Sequence, residues 1–259
     1  MAMTAPTVMF DDTVPGVDLV GEPGAGEAEA TLLSTRALTV MASVHRRFLD
    51  RRSTLLRNRR LAPVTTPQAD ERWTTEAAQN HDLRRGPDFC FAEGATWSGR
   101  LDGQAMLASA DGGTGTMLAR VRGWDRTENS VLIDGRAVSG AIFDTIVALQ
   151  HQARAFENGE QPFALCLPDI RNTAEAQTWA ALLNLAQDRV GIPRGNVPVV
   201  LSIETDEAVR NTSSILNEFR TNGIGVCVAD GGGLDEVAVK EIASDHGVRW
   251  IGAIPSSIA

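Results

Sequence analysis

The chain has 259 residues, of which 43% are hydrophobic, and a formal net charge of −9 at pH 7; this length suits one large domain or two small ones. The acidic balance argues against nucleic acid as the main partner, and no apolar run reaches the roughly 18 residues of a membrane-spanning helix. Lys240 is the only lysine and lies in an ordinary helical pattern, which excludes Schiff-base aldolases, pyridoxal-phosphate enzymes and P-loop NTPases. Carbon–carbon chemistry in this chain would have to rely on a metal.

The first 110 residues fall into two predicted regions. Residues 1–30 are rich in glycine, proline and acids and hold no lysine or arginine. They predict a flexible leader rather than a secretory or transit peptide, and hence a cytoplasmic protein. Residues 31–110 form a helical and irregular region with one long helix from about Thr35 to Arg60. Its apolar stripe and many arginines favour a core-packed helix with a solvated basic face over the alternative, an anion or partner site.

Strands and amphipathic helices alternate regularly through residues 111–259. This order predicts βαβ units and a parallel sheet, the α/β pattern of a TIM (β/α) barrel. A closed barrel has eight strands and only about five fit here, so we predict a partial or abbreviated barrel, or an open sheet, after the N-terminal helical segment. The predicted strands are Met117–Val121, Pro162–Leu167, Val197–Ile203, Ile224–Val228 and Val248–Ile254, and the predicted helices are Ser139–Phe156, Asn172–Val190, Glu207–Thr221 and Asp235–His246.

Charged residues follow three of the predicted barrel strands. Arg120 ends the first strand, Glu204 ends the third, and Asp230 and Asp235 bracket the glycines after the fourth. Carboxylates from neighbouring strands can hold a hard divalent cation such as Mg²⁺. An arginine facing that cation would stabilise negative charge on a carbonyl oxygen. The glycine run would let backbone N–H groups approach an anionic ligand.

Each of these residues also has a plainer interpretation. An acid after a strand is more often a helix N-cap or a surface residue, and Asp206 and Glu207 more simply favour the N-terminus of the helix that they begin. Arg122 competes with Arg120, because strand alternation places both on one face. Spacing alone leaves these alternatives open.

Several segments resemble the malate synthase family. The segment Gly191–Arg220, GIPRGNVPVVLSIETDEAVRNTSSILNEFR, is similar without a gap to the family's GIPRG motif, apolar strand, IET and following helix. VHRRF at Val44–Phe48 matches a family helix. RGW at Arg122–Trp124 and VLIDGRAVSGAIFD at Val131–Asp144 resemble the family's RGW and VDGxxVSGxxFD. LPDIRNTAEAQTW at Leu167–Trp179 is a degraded form of LPKxExxxEAxxW.

The resemblance implies a TIM-barrel fold and the Mg²⁺-dependent condensation of an acyl-CoA, acetyl-CoA in the family, with a 2-oxo acid, glyoxylate, as in the glyoxylate cycle. It implies that Arg120 is the catalytic arginine that contacts glyoxylate. Glu204 and Asp235 correspond to the two Mg²⁺ ligands, and Gly233, Leu234 and Asp235 to substrate-binding positions. The implied partners are these small molecules, with a homo-oligomeric assembly left open.

The chain also departs from the family pattern. Asp169 stands where the family has lysine, and Arg171 where it has glutamate. The family's helical C-terminal domain, which carries the aspartate that removes a proton from acetyl-CoA, has no counterpart after Asp235, so we expect impaired malate formation. Two alternatives follow: a carbon–carbon lyase or aldolase of the related citrate lyase β-subunit type, and a non-catalytic remnant that binds metal and 2-oxo acid.

Overall fold

The computed structural model describes residues 7–10, 14–21, 33–61, 88–91, 117–157, 164–222, 224–229 and 233–254. The helices of this part are α1 (Thr35–Leu61), α2 (Gly140–Glu157), α3 (Thr173–Val190), α4 (Asp206–Glu218) and α5 (Glu236–Asp245). Its strands are β1 (Thr7–Phe10), β2 (Val17–Gly21), β3 (Asp88–Phe91), β4 (Met117–Arg120), β5 (Thr127–Ile133), β6 (Arg136–Ser139), β7 (Ala164–Leu167), β8 (Val199–Ile203), β9 (Ile224–Ala229) and β10 (Arg249–Ile254).

The larger sheet carries the barrel strands in the order β10-β9-β8-β7-β4-β3. The five strands β4, β7, β8, β9 and β10 are parallel and lie in chain order, whereas β3 pairs antiparallel with β4. Strands β7 and β8 are buried along their whole length, as expected for parallel strands covered on both faces. Within the described residues β10 and β3 stay unpaired with each other. The predicted α/β fold with a partial barrel is confirmed.

A second sheet of four strands, in the order β1-β2-β5-β6, is antiparallel throughout. Strands β1 and β2 lie within residues 1–30, the segment predicted as a flexible leader, and they pair with each other and, through β2, with β5. The β5–β6 turn is formed by Asp134 (φ 51°) and Gly135 (φ 73°). Positive φ at both central residues is typical of the tight type I′ hairpin turn that Asp-Gly favours.

The helices cover one face of the larger sheet. Asn172 caps α3 by accepting a hydrogen bond from the Glu175 N–H, as the capping-box spacing predicts, and Gly191 ends it with a left-handed φ of 93°. Helix α1 packs against α2 and α3. An aromatic cluster joins α1, α3 and the loop after β4. The ring of Trp124 stacks on Phe48 at 6.2 Å between centroids and contacts Trp179 at 4.9 Å between centroids. Trp124 therefore has the structural role that a fully buried indole indicates.

The arginines of α1 do not form one solvated face. Arg52 donates to the backbone carbonyl of Trp124 at 2.7 Å, and Arg59 reaches carboxylates beyond the end of β7. Arg46 forms a surface ion pair with Asp134 in the β5–β6 turn. The prediction of a core-packed helix holds, but the prediction of a solvated basic face is wrong for Arg52 and Arg59. A helical pattern locates the apolar stripe, yet it does not say which loops fold over its flanks.

Strand alternation creates a smaller apolar cluster on the face of the larger sheet opposite the helices. Its members are Ala164, Cys166, Val200, Cys227 and Ile251. Arg120 is in register with Cys166 on the neighbouring strand, so its side chain leaves the sheet on this same face. The inner face of the partial barrel is thus apolar at its centre and charged at the carboxyl end of β4.

His45 in α1 is buried, and neither of its ring nitrogens has a hydrogen-bond partner among the described residues. Burial lowers the pKa of His45 below its ordinary value, the charge of Arg52 lowers it further, and Asp134 opposes the shift. Burial and Arg154 also lower the pKa of His151. Both histidines are therefore expected to fold in the neutral form.

We predict that the free energy of unfolding falls as the pH drops below about 6.5, the ordinary histidine pKa. In that window the unfolded chain binds protons that the folded chain does not, so stability increases with pH. His45→Leu should reduce this slope and leave the part that comes from His151. Urea unfolding at a series of pH values measures it, and an unchanged slope in His45→Leu would contradict the assignment.

Candidate functional site

The side chains of Arg120 and Glu204 meet at the carboxyl edge of the larger sheet. Arg120 ends β4 and Glu204 directly follows β8, while β7 lies between these strands. Arg120 Nη2 donates to Glu204 Oε1 at 3.0 Å. The two side chains are only 8% and 17% exposed, so the charges face each other in a largely water-excluded place. This is the edge at which open and closed α/β sheets bind ligands.

The charge state of Glu204 reflects its burial and the charges of nearby residues. Burial raises the pKa of Glu204 above its ordinary value, the guanidinium of Arg120 lowers it, and the negative charge of Asp169 raises it again. The net direction is upward, since loss of hydration outweighs the attraction of one arginine. A cation or a second donor at this edge would favour the ionised carboxylate.

Arg122 is held by different groups. Its guanidinium donates to both oxygens of Asp144 at 2.7–3.1 Å and to Glu128 at 3.0 Å, and its backbone N–H donates to Asp144 at 2.8 Å. Burial lowers the pKa of Arg122, but the two carboxylates outweigh it and the net shift is upward. A side chain at Gly140 would place its Cβ 3.0 Å from the Cβ of Arg122. The VSG motif thus leaves room for this ion cluster.

The predicted ligand Asp235 lies after β9, the neighbour of β8. Its exposed carboxylate caps α5 by accepting a hydrogen bond from the Ala238 N–H at 2.9 Å, which is the plainer of its two interpretations. Gly233 has a φ of 63° with open space around it, and the half-buried Leu234 packs against the core. None of the described contacts joins Asp235 to Arg120 or Glu204. Asp230 lies outside the described residues.

The described residues hold no group of three or more His, Cys, Asp or Glu side chains that could bind a metal ion. The structure brings together two of the predicted site residues, Arg120 and Glu204, and leaves Asp235 at the helix cap. Any cation site here would therefore draw on few protein ligands.

A charge network beside this pair was not predicted. Asp169, in the loop after β7, pairs with Arg59 of α1 and with Arg171 at 2.8 Å. Arg59 also donates to both oxygens of the buried Glu175 at 2.7 and 2.9 Å. The exchange of charge at Asp169 and Arg171 relative to the family pattern was visible in the sequence. The partner from α1 was not, because it lies 110 residues away.

Residues 116–239 match the family model of the malate synthase TIM barrel domain. This segment belongs to the malate synthase barrel family. The matched segment contains Arg120, Glu204 and Asp235, and it begins at β4 and ends within α5. The match therefore covers four of the five parallel strands of the larger sheet, β4, β7, β8 and β9.

Three malate synthases illustrate the extent of the similarity. The glyoxysomal malate synthase of Candida tropicalis is 28% identical over an alignment that covers 86% of this chain and 51% of the relative. The malate synthase of Myxococcus xanthus is 28% identical, with 87% and 51% covered. Malate synthase A of Escherichia coli is 29% identical, with 54% and 29% covered. The chain spans about half the length of the first two relatives.

Among its described helices, none is long and apolar enough to cross a membrane.

We predict that Arg122→Met lowers the free energy of unfolding by about 3–5 kcal/mol, because it leaves two buried carboxylates without their counter-ion. Arg194→Met is the matched control: Arg194 also pairs with an aspartate, Asp188, but on the exposed surface. It should leave the unfolding midpoint nearly unchanged. Urea unfolding of both variants tests this, and equal midpoints would remove Arg122 from the structural core.

Proposed function

We propose that the inner carboxyl edge of this barrel binds a divalent cation and a short 2-oxo acid such as glyoxylate, for malate synthase-type condensation with acetyl-CoA. The observation that carries the proposal is the contact of Arg120 with Glu204 inside the segment that matches the malate synthase barrel. An arginine and a carboxylate, both largely buried at the strand ends, provide one group for an anionic oxygen and one for a cation.

The residues present fit Mg²⁺ as the cation. Glu204 and Asp235 would hold it from neighbouring strands, and a carboxylate with about four lone-pair sites can cap a helix and still bind a metal. When bound, the cation would supply Lewis-acid polarisation of the 2-oxo acid. Gly233 and Leu234 precede Asp235, and we propose them as the backbone against which the substrate lies.

Arg120 would act on the carbonyl oxygen of the 2-oxo acid. Its planar guanidinium offers several donors, so it can keep its contact with Glu204 and still donate to a ligand. As a new carbon–carbon bond forms, negative charge develops on that oxygen, and a fixed donor in a water-poor site stabilises it. Arg120 is therefore the catalytic residue of the proposal.

Proton removal from the thioester methyl group requires a base. Asp206, at the start of α4, is a candidate for this base. It lies two residues after Glu204 and is the carboxylate nearest to Glu204 in the described sequence. Loss of a positioned base typically costs about 10²- to 10⁴-fold in rate. Arg120, Glu204 and Asp235 would thus be sufficient for ligand binding, whereas condensation also requires the base.

Ligand binding without turnover is the second candidate. It is favoured by the structural roles of the two carboxylates that would hold the cation. Glu204 already accepts a hydrogen bond from Arg120, and Asp235 accepts one from the Ala238 N–H. One assay separates the candidates: acetyl-CoA, glyoxylate and Mg²⁺ are mixed with the protein, and CoA and malate are quantified. Coupled release of both supports condensation, ligand binding alone supports the second candidate, and cleavage of a malyl- or citryl-thioester instead supports a lyase.

We predict that Glu204→Gln and Asp235→Asn each weaken Mg²⁺ binding, because an amide oxygen replaces a charged ligand. Both substitutions keep the size of the side chain, and asparagine also remains a good helix N-cap. Calorimetric titration with MgCl₂ measures the affinity. The control is Asp188→Asn, which changes an exposed carboxylate paired with Arg194. Wild-type affinity in both site variants would place the cation elsewhere.

We predict that Arg120→Lys weakens glyoxylate binding, since lysine keeps the charge and loses the planar fork. Arg122→Lys is the comparison, because Arg122 is occupied by Asp144 and Glu128 and should not meet the ligand. Glyoxylate titrations on folded protein, checked by circular dichroism, decide between them. Unchanged affinity in Arg120→Lys together with a loss in Arg122→Lys would reverse the assignment.

A further inference from the structure

Arg59, at the C-terminal end of α1, binds two acidic residues that flank the beginning of α3. It pairs with the carboxylate of Asp169, donates to the Asp169 carbonyl at 2.7 Å, and donates to both oxygens of Glu175. Its side chain is only 11% exposed. Glu175 in turn accepts from the backbone N–H of Arg171 at 2.9 Å. We call Arg59, Asp169, Arg171 and Glu175 the Arg59 clamp.

The Arg59 clamp lies next to the proposed ligand site. Asp169 follows β7 by two residues, and β7 separates the strands that end in Arg120 and Glu204. Asp169 therefore lies at the same carboxyl edge of the sheet as Arg120 and Glu204. Asp169 also has a φ of 50°, a left-handed conformation that a residue with a side chain adopts when surrounding contacts fix it. The contacts with Arg59 and Arg171 supply that constraint.

The charges of the clamp and the site balance. Arg59, Arg120 and Arg171 face Asp169, Glu175 and Glu204, so these six groups together carry no net charge if all of them are ionised. Without Arg59 these groups would carry one excess negative charge. The carboxylate of Asp169 would also lose its partner on α1. That excess would repel an anionic ligand and attract a cation.

We propose that Arg59 is a positioning residue of the ligand site: it neutralises and fixes Asp169, so that an anionic 2-oxo acid can approach Arg120. This inference rests on the proposed function and adds a residue outside the matched barrel segment. Arg59 touches neither Arg120 nor Glu204 in any described contact. It acts through Asp169.

The test compares Arg59→Met with Arg52→Met by calorimetric titration with glyoxylate and with MgCl₂. Arg52 lies two turns earlier on the same helix and also ties α1 to the barrel, but its described partners are backbone carbonyls. Arg59→Met should weaken glyoxylate binding about tenfold, the order expected for one unit charge in a half-buried site. It should leave Mg²⁺ binding equal or tighter. Arg52→Met should lower stability and leave glyoxylate binding unchanged.

The opposite effects on anion and cation separate positioning from misfolding, which would weaken both. Asp169→Asn in the Arg59→Met background should restore glyoxylate binding, and Asp169→Asn alone should strengthen it, which keeps the test decisive if Arg59→Met does not fold. Equal glyoxylate affinity in wild type and Arg59→Met, or weaker binding in Asp169→Asn, would overturn the inference while the proposed function stands. Absence of glyoxylate binding in the wild type would overturn both.

Discussion

The ion pair between Arg120 and Glu204 is the interaction on which the site depends. It reaches across the end of β7 and joins two strands that do not pair with each other. Because both side chains are largely buried, neither charge is stable at this place without the other or a ligand in its stead. The pair therefore keeps an arginine and a carboxylate side by side at the carboxyl edge of the sheet, where we propose that an anionic oxygen and a cation bind.

Three further arginines near this pair, Arg122, Arg59 and Arg52, each have protein partners of their own. Arg122 is fully engaged by Asp144 and Glu128 and fastens α2 to the end of β4. Arg59 reaches over from α1 to Asp169 and Glu175, and Arg52 fixes the same helix to the loop at Trp124. The arginine-rich helix is thus a part of the barrel's support, and it carries positive charge to an edge whose loops are acidic.

Much of the fold could be predicted from the sequence, because its physical basis is local. Continuous apolar runs marked β7 and β8, and the spacing of Asn172 and Glu175 marked the start of α3. The β5–β6 hairpin has a strong local signal, since Asp134 and Gly135 lie between apolar runs, but the second sheet as a whole was not predicted. Strands β1 and β2 were not predicted, because β2 joins the sheet through β5, which lies more than 100 residues later in the chain.

The site was predictable where strand ends decide it and not where tertiary packing does. Arg120 and Glu204 follow parallel strands, whose carboxyl ends share one edge, and the structure brings them together. Asp235 shows the limit, since an acid before a helix can cap it, and here it does. Arg59 could not be assigned at all, because the sequence of a basic helix does not reveal which loop carboxylates fold against it.

We propose that a cation and a 2-oxo acid share the edge at Arg120 and Glu204. Glyoxylate titrations in the absence of Mg²⁺ and at saturating Mg²⁺, with the reciprocal Mg²⁺ titrations, test it most directly. One shared site predicts that each ligand tightens the other by the same factor, about 5- to 150-fold for typical coupling. Glyoxylate affinity that is identical with and without Mg²⁺ would show that the two ligands do not share this edge.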